Sequence, residues 1–188
     1  MPIHKRIQYN APVILTYAVL ALAALALDYF FGANLFLFSV FRAPFTDPLL
    51  YPRVFLHVLG HYNFAHFAGN IMLMLLLGPM LEERYGSKRL ALMMAITALV
   101  TGALFLIVSP HAALLGGSGL VFMLILLSSF ANIQQGRIPL TLVLVFALYI
   151  GQEIFAEVGS DTNISHITHI AGGLCGAVFG YVFNRKKP

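Results

Sequence analysis

Charge is what this chain has least of. Of its 188 residues only 10% are Asp, Glu, Lys or Arg, against about 25% in an average soluble domain. It has one cysteine, Cys175, and no tryptophan. A single cysteine excludes an intrachain disulfide, and Cys175 sits inside an apolar run, where it reads as a small buried hydrophobe. What is present is apolar: 60% of the residues are hydrophobic, and the mean hydropathy is +0.86. A soluble domain of this size has nowhere to hide that much apolar surface. The composition therefore excludes a disordered chain, a coiled coil and a disulfide scaffold, and points to a polytopic membrane protein. The net charge is +4. The basic residues are dispersed and form no face interleaved with aromatics, so the excess reports membrane topology and no nucleic-acid partner is expected.

Six apolar segments follow one another. They run from about Pro12 to Phe31, Asn63 to Leu81, Leu90 to Val108, Gly117 to Asn132, Pro139 to Phe155 and His166 to Phe183. The first has about 20 residues, enough to cross a hydrocarbon core of ~30 Å. The run after the basic N-terminus is too long for a signal-peptide core, so no cleaved leader is expected. Between the first two segments lies a long stretch, 32 to 61, with Pro44, Pro48 and Pro52. A connection of that length is expected to be functional or to fold on its own. Its LFLF run at 35 to 38, with Tyr51 and Arg53, suits the membrane interface. The last segment carries Gly172, Gly176 and Gly180 at every fourth position, a bare groove against which another helix can pack closely.

Six spans put both termini on one side. With the termini cytosolic, the inner segments hold nine basic residues: Lys5, Arg6, Arg84, Lys88, Arg89, Arg137, Arg185, Lys186 and Lys187. The outer segments hold two, Arg42 and Arg53. That asymmetry follows the positive-inside rule. The organisation expected is one all-α transmembrane domain over 1–188, with short cytosolic tails at about 1–11 and 184–188.

Polar residues inside a membrane are costly, so their positions carry information. They gather at three segment starts on the outer side: His57, His61, His66 and Asn70; Gly116, Gly117, Ser118 and Gly119; His166 and His169. Ser118 follows apolar residues and glycines, so its loop is expected to dip into the membrane before the helix begins. A serine at a helix N-terminus lies beside unused backbone N–H groups that stabilise an oxyanion. Taken alone, such a serine is more often an N-cap or a packing serine. His169 near the start of the glycine-faced segment suits a general base for that serine, and also suits a structural hydrogen bond. His166 lies nearer the polar loop 160–163 and reads as rim. His66 and Asn70, four apart, share a helix face. Two neutral donors there suit an oxyanion, or an interhelical clamp. His57 and His61 have no carboxylate or cysteine near them in sequence and read as loop-anchoring hydrogen-bonders, with no metal.

Together these residues resemble the rhomboid family of intramembrane serine proteases. The matching pieces are His61-(x4)-His66-(x3)-Asn70, Gly116-Gly117-Ser118-Gly119 as the GxSG motif, and His169-(x2)-Gly172-(x3)-Gly176. Glu82-Glu83-Arg84, before Tyr85-Gly86, resembles the family's ExR motif. The resemblance covers about residues 12 to 184. It implies a six-helix bundle with an interfacial first loop and a water-filled cavity open to the outer side. It further implies a Ser118–His169 dyad, an oxyanion site made by the Ser118 N–H, His66 and Asn70, and a nucleophile turn shaped by Gly116, Gly117 and Gly119. Glu82 and Arg84 would be structural, as would Gly172 and Gly176 at the helix contact. No metal or organic cofactor is implied. Where the family often has a tyrosine four residues after the serine, this chain has Phe122, which keeps a ring to stack on His169 and loses the hydroxyl.

The resemblance also implies the partners: other transmembrane proteins, cut where a segment unwinds near its outer end and reached sideways from lipid, past the fifth segment or the loop 155–165. It looks like a minimal, bacterial-type form in a prokaryotic plasma membrane. Oligomeric state is not readable. The alternatives are an inactive family member that binds membrane clients, a proton-relaying transporter, and a histidine-based membrane metal hydrolase.

Overall fold

Pro12 opens the first helix, α1 (Pro12–Phe31), and Gly32, at φ 65°, closes it. Proline fits the first turn because its missing N–H would have had no partner there. The computed structural model describes residues 8–109, 111–131 and 164–184, together with Leu140, Val143, Leu144, Ala147 and Leu148. No side chain at the start of α1 caps it. Glu82, from a later helix, does so instead. Its carboxylate accepts the Val13 N–H at 2.9 Å and the Ile14 N–H at 3.2 Å. A carboxylate at that end satisfies orphan donors and faces the positive pole of the helix dipole.

The stretch 32–61 is folded. It forms α2 (Ala33–Phe36), β1 (Val40–Phe41), α3 (Leu50–Leu56) and a 3-10 turn, His57–Leu59. Arg53 is buried. Its guanidinium bonds Asp47 at 2.9 Å and the Phe36 carbonyl at 3.0 Å, and lies over the Phe41 ring. Burial of an arginine is tolerable because its charge is paired with Asp47 and two of its N–H groups find oxygen acceptors.

Next come α4 (Phe64–Tyr85) and α5 (Ser87–Val108), separated by Gly86 at φ 82°. Helix α4 outlasts the apolar run that marks it. Glu82, Glu83 and Arg84 lie in its last turns, and the glycine, not the charges, ends it. A short strand, β2 (Ala113–Leu114), pairs antiparallel with β1, Val40 opposite Leu114 and Phe41 opposite Ala113. Then follow α6 (Ser118–Ala131) and α7 (Ile164–Asn184). The expected fifth span, Pro139 to Phe155, lies almost wholly outside the described residues. The five residues described there are helical and exposed.

Helices α1, α4 and α5 have 20, 22 and 22 residues and are apolar enough to cross a membrane. Their outward faces are large and apolar: Val19, Tyr29, Phe30, Met72, Leu76, Leu92 and Leu99 are exposed. Lipid, not water, is the solvent such a surface fits. Helix α6 is enclosed instead, with every residue from Leu120 to Ile125 no more than 1% exposed. It packs on α4, α5 and, most extensively, α7. A helix apolar on all faces belongs at the centre of a bundle. The architecture is an all-α polytopic membrane bundle around α6.

Candidate active site

Ser118 is the first residue of α6, and the glycines before it set how the chain arrives there. Gly116 has φ 134°, a conformation that side-chain-bearing residues rarely adopt. Its N–H donates to the His57 carbonyl at 2.9 Å. The Gly117 carbonyl accepts the N–H groups of Leu120 and Val121 and so starts the helix. The Ser118 N–H, at the first helical position, has no partner within the helix.

His169 comes to Ser118 because α6 and α7 meet almost backbone to backbone. A Cβ on Gly172 would collide with the Gly119 carbonyl, and one on Gly176 with the Met123 carbonyl. A Cβ on Gly180 would meet the Phe130 ring. Only hydrogen at these three positions allows that approach. The result is a hydrogen bond of 2.7 Å between Ser118 Oγ and His169 Nε2. When Nε2 accepts from the serine hydroxyl, the imidazole carries its proton on Nδ1. His169 is 5% exposed. Phe122, one turn along α6, stacks on it with ring centroids 4.7 Å apart and planes at 17°.

The other expected residues lie around the same loop. The Asn63 side chain caps α4 by accepting the His66 N–H at 2.8 Å. The His66 ring stacks on Tyr62 and meets His61 edge-on. A Cβ built on Gly116 would lie 3.0 Å from His66 Cε1 and 3.8 Å from Ser118 Oγ, so histidine and serine flank one glycine. Asn70 is buried one turn further along α4. His57 donates from Nδ1 to the Val54 carbonyl at 2.9 Å, and its Nε2 faces Thr101 Oγ1 at 3.4 Å. His61 donates from Nδ1 to the Leu59 carbonyl at 3.0 Å. Both lie between the spans, and burial above all lowers the pKa of each to about 4. Among the described residues no three His, Cys, Asp or Glu side chains are grouped to hold a metal ion.

Glu82 stands apart from this cluster, at the start of α1, and Arg84 lies over the Tyr85 ring. The side chain of His166 and the loop 155–163 lie outside the described residues. Three residues that build the site went unmarked in the sequence. Tyr17 donates its hydroxyl to the Val58 carbonyl, Thr101 backs His57 and Gly119, and Asn63 caps α4. Asn63 had a readable signal, an N-cap residue before an apolar run. Tyr17 and Thr101 had only a lone hydroxyl inside an apolar segment.

Comparison with known proteins places this geometry in context. A family model described as the Rhomboid domain matches residues 50–186. The Rhomboid-related protein 1 of Caenorhabditis elegans is 30% identical to this chain over 134 residues, which is 65% of this chain and 37% of that protein. The match thus covers little more than a third of that relative's length.

Proposed function

The chain belongs to the rhomboid family of membrane proteins, and from that premise we propose that it is a serine endopeptidase cutting transmembrane segments of other proteins. The observation that carries this reading is the 2.7 Å bond between Ser118 Oγ and His169 Nε2, in a chain with helices long and apolar enough to cross a membrane. A hydroxyl bonded to an imidazole nitrogen at a helix N-terminus is the arrangement nucleophilic acyl transfer needs.

Ser118 Oγ attacks the scissile carbonyl carbon as its proton passes to His169 Nε2. The carbonyl oxygen takes up the negative charge, and the Ser118 N–H, His66 and Asn70 are its donors. Neutral donors stabilise that charge without leaving a fixed cation buried when the site is empty. His169 then returns the proton to the leaving amine, the C–N bond breaks, and an ester to Ser118 remains. Water, deprotonated by the same nitrogen, cleaves the ester and restores the hydroxyl. Phe122 holds the imidazole plane through the cycle.

A helical peptide bond is shielded by its own hydrogen bond, so the substrate has to unwind. Segments with Gly, Pro or polar residues near one end are therefore favoured. The reading includes six spans in one domain over 1–188, cytosolic termini, a site opening outward, sideways access past the fifth span, and a prokaryotic plasma membrane. The nine-to-two distribution of basic residues supports the orientation.

The test uses purified protein in detergent with a single-span substrate. Wild type is expected to cleave. Ser118→Ala and His169→Ala, equally folded, are expected to fall to background, a loss of at least about 10³-fold. Cleavage surviving Ser118→Ala rejects the site. Failure of folded wild type across a substrate panel favours a client-binding member of the family.

A further inference from the structure

The mechanism above makes no use of Tyr17, a buried hydroxyl on the second turn of α1. We propose that Tyr17 is a positioning residue for the nucleophile: it clamps the first loop and the Gly117 peptide together, so that Ser118 is held in register with His169. This inference rests on the protease reading.

Three contacts carry it. The Tyr17 hydroxyl donates to the Val58 carbonyl, in the 3-10 turn of the first loop. The same oxygen lies against Gly117, where an added Cβ would collide with it. That Cβ would also lie 3.4 Å from the Val58 carbonyl oxygen, so hydroxyl, carbonyl and glycine meet at one point. The adjacent residue of the turn, His57, accepts the Gly116 N–H at 2.9 Å. The 3-10 turn thus holds the nucleophile loop from one side, and Tyr17 holds the turn. Gly117 in turn starts α6, since its carbonyl accepts the N–H groups of Leu120 and Val121.

The chemistry makes the hydroxyl specific. A buried backbone carbonyl needs a donor. Phenylalanine at 17 would fill nearly the same volume and supply none. With the tie gone, the Val58 turn and the Gly117 peptide are free to shift by fractions of an ångström. Displacements on that scale are costly where a nucleophile must meet its base.

The experiment measures kcat and KM on a single-span substrate, and the rate at which a fluorophosphonate probe labels Ser118, both per folded molecule. The expected result for Tyr17→Phe is a fall in kcat and labelling rate of roughly tenfold, with KM within about twofold. Gly117→Ala supplies a second, independent reading through a double-mutant cycle. In the parent chain its methyl meets the Tyr17 hydroxyl, and a loss exceeding about 100-fold is expected. In the Tyr17→Phe background the nearest remaining atom is Met74 Cε at 3.2 Å, and the same substitution is expected to cost less than about tenfold. Wild-type kcat and labelling in Tyr17→Phe overturn the proposal, as do Gly117→Ala costs that are equal in the two backgrounds. A Tyr17→Phe effect confined to melting temperature also overturns it. If wild type cleaves and Ser118→Ala does not, these outcomes bear on Tyr17 alone. A wild type that neither cleaves nor labels overturns the protease reading and this inference with it.

Discussion

Phe122 and His169 stack face to face, with 4.7 Å between ring centroids. The ring replaces the family's frequent tyrosine, and its contribution is geometric. It limits rotation of an imidazole whose Nε2 bonds Ser118 Oγ. A stacked aromatic pair is worth about 0.5–1.5 kcal/mol beyond burial. Phe122→Leu is expected to lower kcat by roughly tenfold at unchanged KM, and Phe122→Tyr to keep it within about threefold. Steady-state cleavage of one substrate by all three proteins decides this. Equal rates for Leu and Phe would remove any role for stacking.

The α6–α7 contact makes a sharper steric prediction. Ala at 172 or 176 places a methyl against a backbone carbonyl of α6, which has no rotamer to yield with. Overpacking typically costs about 1–3 kcal/mol, and here separating the helices also pulls His169 away from Ser118. Gly173→Ala is the control, since its Cβ would meet only Leu126 at an ordinary 3.7 Å. Thermal unfolding in detergent is expected to show large losses at 172 and 176. At 173 it is expected to show none, or a small gain from helix propensity. A loss at 173 as large as at 172 would contradict the close-contact account.

Glu82 predicts the opposite pattern, stability without chemistry. It supplies the acceptors for two N–H groups at the start of α1. Glu82→Ala is expected to cost about 1.5–3 kcal/mol, the usual worth of hydrogen bonds to a charged group. Glu82→Gln keeps one acceptor oxygen and is expected to cost less. Activity per folded molecule is expected to stay near wild type in both. Melting curves and active-site titration separate the two quantities.

His57 and His61 predict how stability depends on pH. Burial keeps both neutral down to about pH 4, against an ordinary value of 6.5. Between those values the unfolded chain binds more protons than the folded one, so stability rises with pH. Their contribution is complete above about 6.5 and is lost as the pH falls through about 4. Melting temperature in detergent, followed from pH 7.5 down to 4, is expected to decline over that window. His57→Asn is expected to flatten the decline. A profile that is level over the whole window would show that neither ring has to shed a proton to be buried.

Individual elements differ in how far they were legible before folding. Helix α1 was readable to the residue, because Pro12 and Gly32 punctuate a run with a single charge, Asp28. The end of α4 was not. Its apolar pattern stops at Leu81, yet the helix continues because Glu82 finds donors on α1 and is buried there. The loop 32–61 gave no periodic signal. Its order comes from Arg53 joining Asp47, Phe36 and Phe41, partners brought together by the fold and not by helical spacing. The candidate site was marked by glycines around a serine and by histidines at segment starts. Tyr17 and Thr101 were hidden, since one hydroxyl in an apolar span says nothing about which carbonyl it meets.

Composition and hydropathy suffice to dictate a lipid-embedded helical bundle, because burying or solvating 60% hydrophobic residues leaves no soluble alternative. Glycine every fourth residue suffices to dictate that the last helix packs closely on something, because that face has no side chains. That the something is α6, at the register where Gly172 meets Gly119, came from three dimensions. Ser118 and His169 are 51 residues apart, and a 2.7 Å bond between them depends on two helix backbones meeting at a fixed height. Height and register are set by every residue packed around α6 at once, and no local pattern encodes such a sum.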